Sequence, residues 1–441
     1  MQNIVPLPRG EEIDLTGQFG KSYHLVNDSL ESYFITGKAG TGKSTLLRHY
    51  ANETQRRVAL LAFTGIAAVN IQGQTIHSFF RFPPEPITRE HIHESRFKEL
   101  YRALDTIVID EVSMVRADLM GGIDQMLRLN RGRPTEPFGG VQMLLFGDVF
   151  QLQPVVASEE EAKYFSSYYR SPYFFDAKVF EEAHFEIIDL QKVYRQKDLG
   201  FIGLLDAIRM NRAGDTQLRA INSRFRPGLA DDETEFRITL ASTNDIVAAV
   251  NQRRLARLTT PLYTFVGKLE GRFPKESLPT DMELKLRKGA QVMFVKNDMA
   301  RRWVNGTIGK VVELDQDHIA VEVEEEGGTF TFDVPHATWE VRKHTLDHAS
   351  YSIRTEVVGS FTQYPLKLAW AVTIHKSQGL TFEDVIVDLG GGAFAHGQTY
   401  VALSRCTSFE GLTLKTKVRQ KDIIVDYAVS EFYRSRIREA T

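Results

Sequence analysis

The 441-residue chain has one cysteine, Cys406, so no internal disulfide can form and the sequence suits a reducing interior. No apolar run approaches the ~18 residues that a bilayer span requires. Residues 1–20 carry Glu11, Glu12 and Asp14 where a secretory leader needs an apolar centre. Net charge is scarce too: 54 basic against 57 acidic side chains leave −3 at pH 7. That balance points to no acidic partner by itself, although a local basic groove can hide in such a total. Long repeats and low-complexity linkers are also missing. These absences exclude fibrous, disordered, membrane-inserted and exported classes. The expectation is an intracellular protein with no membrane partner, in the cytoplasm of a bacterium, or in the nucleus or mitochondrion of a eukaryote. What is present, 42% hydrophobic and 25% charged residues, is ordinary globular composition, and the length suggests about three domains at ~150 residues each.

The first half repeats one unit: a short apolar run, then polar or glycine residues, then a helix-compatible stretch. The runs at 33–36, 58–63, 106–109 and 141–146 are almost continuously apolar, as parallel strands covered on both faces must be. In such sheets ligands bind beyond the carboxyl ends of the strands. Thr64-Gly65, Asp110-Glu111 and Gly147-Asp148 follow three of these runs, and a glycine-rich loop follows the fourth. The same grammar returns at 236–241 before a helical 244–258, and at 385–389 and 412–414, which predicts a second α/β domain. Between them, short strands at 291–295, 309–312, 319–323 and 329–334, punctuated by Asn305-Gly306 and Gly327-Gly328, predict a small inserted β-barrel.

Gly37-Lys38-Ala39-Gly40-Thr41-Gly42-Lys43-Ser44 fits a phosphate-binding loop. Its glycines let successive backbone N–H groups curl around phosphate oxygens at a helix N-terminus, Lys43 reaches the β- and γ-phosphates, and the Ser44 hydroxyl ligates Mg²⁺. Asp110 and Glu111 end an apolar strand; Asp110 suits the hydrated Mg²⁺ and Glu111 the attacking water. Gln151, in Gly147-Asp148-Val149-Phe150-Gln151, is placed to sense a γ-phosphate. Arg195 and Arg405 could neutralise charge on a transferred phosphoryl group, though by spacing alone each reads first as a solvated surface arginine.

Together these segments resemble a superfamily-one DNA helicase of the petite-integration-frequency type, close to the RecD branch. The resemblance covers almost the whole chain. It rests on the phosphate loop and on 62–68 (AFTGIAA), 75–80 (TIHSFF), 110–114 (DEVSM) and 137–140 (PFGG). In the second half it rests on Thr243-Asn244, 304–307 (VNGT), 369–379 (AWAVTIHKSQG) and 400–405 (YVALSR), in the family's order. It implies an α/β fold of two RecA-like motor domains, 1–183 and 184–295 with 367–441, and an SH3-like barrel at 296–366. The implied activity is ATP-dependent 5′-to-3′ unwinding of tailed or forked duplex DNA in genome maintenance, including repair, recombination and telomere maintenance, with ATP and Mg²⁺. The family often acts on quadruplex DNA. The resemblance adds Thr45 and Gly379 to the nucleotide set and makes Arg195 and Arg405 arginine fingers. It places single-stranded DNA on Thr64, Gly65, Thr75, His77 and Ser78 of one domain, and on Thr243, Asn244, Thr373, His375 and Lys376 of the other. His77, between Ile76 and Phe79, would otherwise read as a core histidine. Residues 80–104 sit where the family carries a strand-separating wedge, and read equally as a solvated excursion. The family's adenine-reading glutamine has only Gln18 as a counterpart. No long extension flanks the motor segments, which reads as a minimal motor.

Two other functional classes stay open: a translocase subunit of a larger nuclease complex, and a nucleotide-switched adaptor without catalysis. Glu111 speaks against the adaptor, since a switch needs no water-activating carboxylate. RNA also stays open as a substrate, and protein partners are unspecified.

Overall fold

The computed structural model describes residues 17–156, 158–228, 237–300, 302–325, 328–347 and 352–437. Glu11, Glu12 and Asp14, Phe236 at the head of one expected strand, and Gly327 of one expected turn lie outside the described residues. Among the described residues no helix is long and apolar enough to cross a membrane.

Six parallel strands, β1 (Tyr33–Gly37), β2 (Val58–Ala62), β3 (Gln74–Thr75), β4 (Thr106–Asp110), β5 (Gln142–Phe146) and β6 (Glu186–Leu190), form one sheet in the order β3-β2-β4-β5-β1-β6. Successive residues of a strand face opposite sides, and both sides are apolar here. Phe34, Ile107, Ile109, Met143 and Leu145 enter one core, packed by the helix Ala117–Arg131, while Ile35, Val108, Leu144 and Phe146 enter another, packed by the helix Lys43–Glu53. This double burial is why the runs read as unbroken apolar stretches.

The second sheet joins β7 (Ile238–Ala241), β18 (Ala371–Thr373), β19 (Val385–Asp388) and β20 (Leu412–Leu414) in the order β18-β7-β19-β20, again parallel. The helices Leu199–Arg209 and Gln398–Leu403 pack their apolar faces on it. Between β7 and β18 lies an antiparallel region. β8 (Leu262–Val266) pairs with β10 (Glu283–Arg287). A five-stranded sheet runs β14-β13-β12-β11-β17, from β11 (Gln291–Phe294), β12 (Ile308–Leu314), β13 (Ile319–Glu325), β14 (Gly328–Asp333) and β17 (Leu366–Leu368). A long hairpin of β15 (Ala337–Asp347) and β16 (Ser352–Gln363) adds β9 (Lys268–Gly271) at its edge.

Three boundaries differ from the sequence expectation. The antiparallel region spans Leu262 to Leu368 rather than 296–366, because β11 and β17 pair with each other and close its main sheet. β6 belongs to the first sheet, hydrogen-bonded along β1 from Tyr33–Glu186 to Gly37–Leu190, although the expected division at 183/184 assigns it to the second domain. The C-terminal helix Tyr427–Phe432 and the π-turn Tyr433–Ile437 also leave the second unit: Val429, Phe432 and Ile437 bury in the first core, with Phe432 stacked on Phe175 at 4.2 Å. An apolar helix face is legible in sequence; the unit that covers it is not.

The antiparallel region docks on the first unit. A Cβ at Gly65 would run into Ser277, and the β15–β16 hairpin lies against the helix Lys98–Ala103 and β3. Its buried contact is His344, whose backbone N–H donates to Gln74 (3.3 Å) and whose ring sits edge-on to Phe79 at 5.9 Å. Nε2 lies 3.5 Å from the Leu60 carbonyl and Nδ1 has no partner. Burial drives this imidazole down to about 4.

A solvated histidine titrates near ~6.5. Between there and about 4 the undocked hairpin takes up a proton that the docked one refuses, so docking is complete above pH ~6.5 and weakens as pH falls through that window. Hydrogen exchange along 337–347, divided by the intrinsic rate at each pH, should therefore show an excess loss of protection from pH 7 to pH 5. His344→Phe should remove the excess; persistence of the excess in that variant would assign it elsewhere.

Candidate nucleotide site at the seam between the two sheets

The loop after β1 is shaped by three left-handed glycines, Gly37, Gly40 and Gly42, with φ of +146°, +80° and +87°. A side chain at Gly37 would strike Leu190 and Thr41, and one at Gly40 would strike Arg195. The following helix Lys43–Glu53 has Gly42 as its N-cap and no side chain capping its first N–H groups, so that end presents open donors, as an anion site requires. Lys43 Nζ donates to the carbonyls of Gly37 (2.7 Å) and Lys38 (3.0 Å), folded back across the cradle. Desolvation lowers its pKa, while Asp148 and Glu111 oppose the shift. Ser44 is exposed at the helix start, with Thr45 partly covered beside it, and the Thr41 hydroxyl closes the loop on Lys38 O at 2.9 Å.

Asp110 ends β4, and its carboxylate accepts the Glu111 N–H at 2.9 Å. Glu111 itself has φ +50°, a left-handed conformation that a non-glycine residue adopts at a cost and that turns its carboxylate into the cleft. Burial, with Asp110 adding to it, raises Glu111 to about 7. A buried carboxylate beside a phosphate loop suits a base for a positioned water. Among the described residues no cluster of three or more His, Cys, Asp or Glu could hold a metal ion. Ser44 at the start of the helix after the loop and Asp110 at the end of β4 offer the kind of oxygen ligand taken by a cation that arrives with its phosphates and keeps several waters, which is the habit of Mg²⁺.

The second unit completes the pocket. Gln378 Nε2, from the turn after His375–Ser377, donates to Glu111 Oε2 at 3.1 Å and to Gln151 Oε1 at 3.3 Å. Tyr400 OH accepts the Ala39 N–H at 2.9 Å. Lys38 pairs with Asp206 at 3.1 Å. Asp148, fully buried, receives Arg209 Nη2 at 2.8 Å, and the guanidinium lies over the Phe150 ring at 4.3 Å. Desolvation pushes Asp148 up, but Arg209 and Lys43 more than offset it and leave its pKa below the ordinary value. Gln378, Asp148, Arg209 and Tyr400 were not singled out in the sequence. Gln378 and Tyr400 stand inside the strings that carry the resemblance, and Asp148 directly follows an apolar run, but a string says nothing about the partner across the seam.

The expected residues divide into three groups. Lys43, Asp110, Glu111, Gln151 and the loop glycines converge, and Arg195 joins them with its backbone against Gly40 and its Nη1 3.2 Å from Ser404 O. Arg405 lies close enough to Glu111 to oppose the rise in the carboxylate's pKa, but in this conformation its guanidinium donates to the carbonyls of Val401 (3.1 Å) and Leu380 (3.2 Å) and to Ser404 Oγ (3.1 Å). Gly379 is exposed, with φ +79°. Gln18 hands both ends of its amide to the end of β6 and the residue after it, donating to Asp189 O (2.7 Å) and accepting from Gln191 N (2.9 Å).

The residues expected on the strand face have local duties. Thr64, Thr75 and Thr243 cap helices by accepting from Ala67, Ser78 and Ile246, and Thr373 accepts from the Lys376 N–H at 3.3 Å. Ser78 accepts from Gln74, which also holds the docked hairpin. His77 packs edge-on to Phe63 at 5.8 Å and His375 is half-buried; desolvation lowers both pKa values. Asn244 and Lys376 are exposed. Gly65 faces Ser277 of the antiparallel region.

Comparison with known proteins places these features in context. The family model described as PIF1-like helicase matches residues 21–202. The ATP-dependent DNA helicase Pif1 of Bdellovibrio bacteriovorus is 30% identical over 96% of this chain and 92% of its own length. The ATP-dependent DNA helicase PIF1 of Emericella nidulans is 33% identical over 92% of this chain, which spans 61% of that protein's length. The crystal structure of a Bacteroides Pif1 with ADP-AlF4 is 36% identical, covers 97% of this chain and 98% of its own, and superposes with a TM-score of 0.89; the same protein with ADP-AlF3 and single-stranded DNA is 37% identical, at 0.69, with the same coverage.

Glu111→Gln should bind nucleoside triphosphate and lose its hydrolysis, whereas Lys43→Ala should lose both; a fluorescent nucleotide-binding assay beside phosphate release reads the two apart. Gln378→Ala, which frees Glu111 and Gln151 from their shared donor, should lower kcat about 10- to 100-fold with little change in KM. An unchanged kcat would show that the bridge does not orient the base.

Proposed function

Because the chain belongs to the PIF1-like helicase family, we propose that it is an ATP-dependent DNA helicase that translocates 5′ to 3′ on single-stranded DNA and unwinds tailed or forked duplexes. One observation carries the reading: Gln378 of the second unit contacts both Glu111 and Gln151 of the first, so the hydrolytic groups form one site only when the cleft is shut. Coupling turnover to closure is what a two-domain motor needs.

In this reading Lys43 and the N-terminus of the helix Lys43–Glu53 grip the β- and γ-phosphates, Glu111 takes the proton of the attacking water, and Gln151 reports the γ-phosphate to Gln378. Ser44 and Asp110 would hold Mg²⁺, which would neutralise phosphate charge when bound. Arg195, already against the phosphate loop, stabilises developing charge from the edge of the cleft. Arg405 joins it by exchanging its carbonyl partners for phosphate oxygens. Phosphoryl transfer needs positioned charge more than covalent chemistry, which suits a pocket built of fixed donors.

The strand lies across both units, on Thr64, Thr75, His77 and Ser78 and then on Thr243, Asn244, Thr373, His375 and Lys376. The capping threonines would present hydroxyl oxygens and turn N–H groups to phosphates. The two sheets act as RecA-like motor units, the five-stranded antiparallel sheet as an SH3-like barrel, and residues 80–104 as the wedge. Quadruplex DNA enters the same scheme through a 5′ single-stranded tail. The Bacteroides relative crystallised with ADP-AlF3 and single-stranded DNA supports the choice of ligand.

Fluorescent duplexes with a 5′ or a 3′ overhang test the proposal. Opening from the 5′ tail, ATPase stimulation by single-stranded DNA, and binding that weakens with a slope of about −0.7 per neutralised charge are expected. Opening from the 3′ tail alone would overturn the polarity, and stimulated turnover without opening of either would favour a translocase subunit.

A further inference from the structure

Three cations from two distant parts of the chain converge on one aromatic ring. Lys343 Nζ on β15 stands 4.4 Å from the centre of Phe97, and the guanidinium carbons of Arg81 and Arg96 stand 4.7 and 4.8 Å from it. A ring has two faces, so at least two of these charges share one side or its rim. Arg272 adds its field: beyond desolvation, Arg81, Arg96 and Arg272 all lower the pKa of Lys343, against Glu356 alone raising it.

Among the described residues no carboxylate comes within 4 Å of any of the four, while Arg102 pairs with Glu99 and Arg57 with Asp105 nearby on the same unit. Arg81, Arg96 and Arg272 are exposed. Arg81 also holds φ +61° as the C-cap of the helix Ile76–Phe80, a position where glycine costs least. Cation–π contact with an exposed charge is weak and offsets little of the repulsion among these cations. Gathered positive charge left without counter-ions is the footprint of a polyanion.

We propose that Arg81, Arg96 and Lys343, gathered around Phe97, and Arg272 near Lys343 form a second nucleic-acid site that takes the phosphate backbone at the fork, apart from the face that holds the translocating strand. This deepens the helicase reading and rests on it. Arg81 follows Ser78 by three residues at the end of the same short helix, so the cluster begins where the proposed single-strand path leaves the first unit. The occupant is the DNA beyond that point. Phosphates of the duplex stem and of the displaced strand have the same chemistry. Four cations set close together favour a chain of phosphates over a single small anion, and Phe97 gives the cluster a rigid centre.

The test uses the full chain without nucleotide, with binding read by fluorescence anisotropy as a function of salt. Arg96→Gln and Lys343→Gln, singly and together, are compared with Arg96→Lys on a forked duplex and on a short single-stranded oligonucleotide. For each charge removed, the salt slope on the fork should shrink by about 0.7–0.9 and that on the short single strand should stay unchanged. Arg96→Lys should keep the wild-type slope. Deleting the 3′ tail of the fork separates the sources: loss of the effect assigns the displaced strand, and its persistence assigns the stem. Unchanged slopes on the fork, or an equal fall on the single strand, would overturn the proposal. Wild-type protein that binds forks but never unwinds them would count against the helicase reading while leaving this binding result legible.

Discussion

A charge can be buried at a seam between two folded units only if the seam delivers its counter-charge, and the Asp148–Arg209 pair meets that condition. Asp148 leaves the end of β5 and Arg209 ends a helix of the second unit; the pair closes at 2.8 Å with both side chains essentially inaccessible. Separating the units would strand each charge, and breaking a buried pair in that way is strongly destabilising. Around it gather Phe150, on which the guanidinium stacks, Tyr433 of the C-terminal π-turn, and Lys43, whose charge Asp148 also offsets. The phosphate cradle, the contact of Gln378 with Glu111, and the seating of Arg195 all depend on this registration.

The antiparallel region imposes a second constraint. Its hairpin sits on the elements that carry Thr64 to Ser78, held by His344 and by Gln74, and Gln74 in turn donates to Ser78. Docking and the strand face therefore share a hydrogen-bonding residue. The buried, neutral His344 and the unpaired cations around Phe97 oppose each other at this dock: the first contributes apolar contact, the second stores repulsion. A polyanion arriving at the cluster removes the repulsion, and acid adds to it.

Much of the candidate site was legible in the sequence because its parts are local. The phosphate loop depends on glycines that permit left-handed backbone at fixed spacing. Asp110 and Glu111 follow an apolar run whose burial on both faces makes it a parallel strand, and such strands deliver their last residues to the ligand side of the sheet. Arg405 was found through resemblance, but its present partners, the carbonyls of Val401 and Leu380, could not be read from spacing. Gln378, Tyr400 and Arg209 were missed as site residues for the same reason: nothing local distinguishes a polar side chain that crosses a seam from one that meets water.

The sequence by itself determined the strands β1, β2, β4, β5, β7, β19 and β20, the glycine loop, the acidic pair at the end of β4 and the presence of an antiparallel insertion, since periodicity and turn chemistry act over a few residues. Tertiary structure alone decided that β6 joins the first sheet, that the insertion runs from Leu262 to Leu368, and that the C-terminal helix returns to bury Phe432 against Phe175. It also set Asp148 against Arg209 and Phe97 beneath three cations. Each of these is a pairing between surfaces far apart in the chain, chosen by shape, burial and charge once the local elements exist, and short-range pattern carries no trace of which surface will be met.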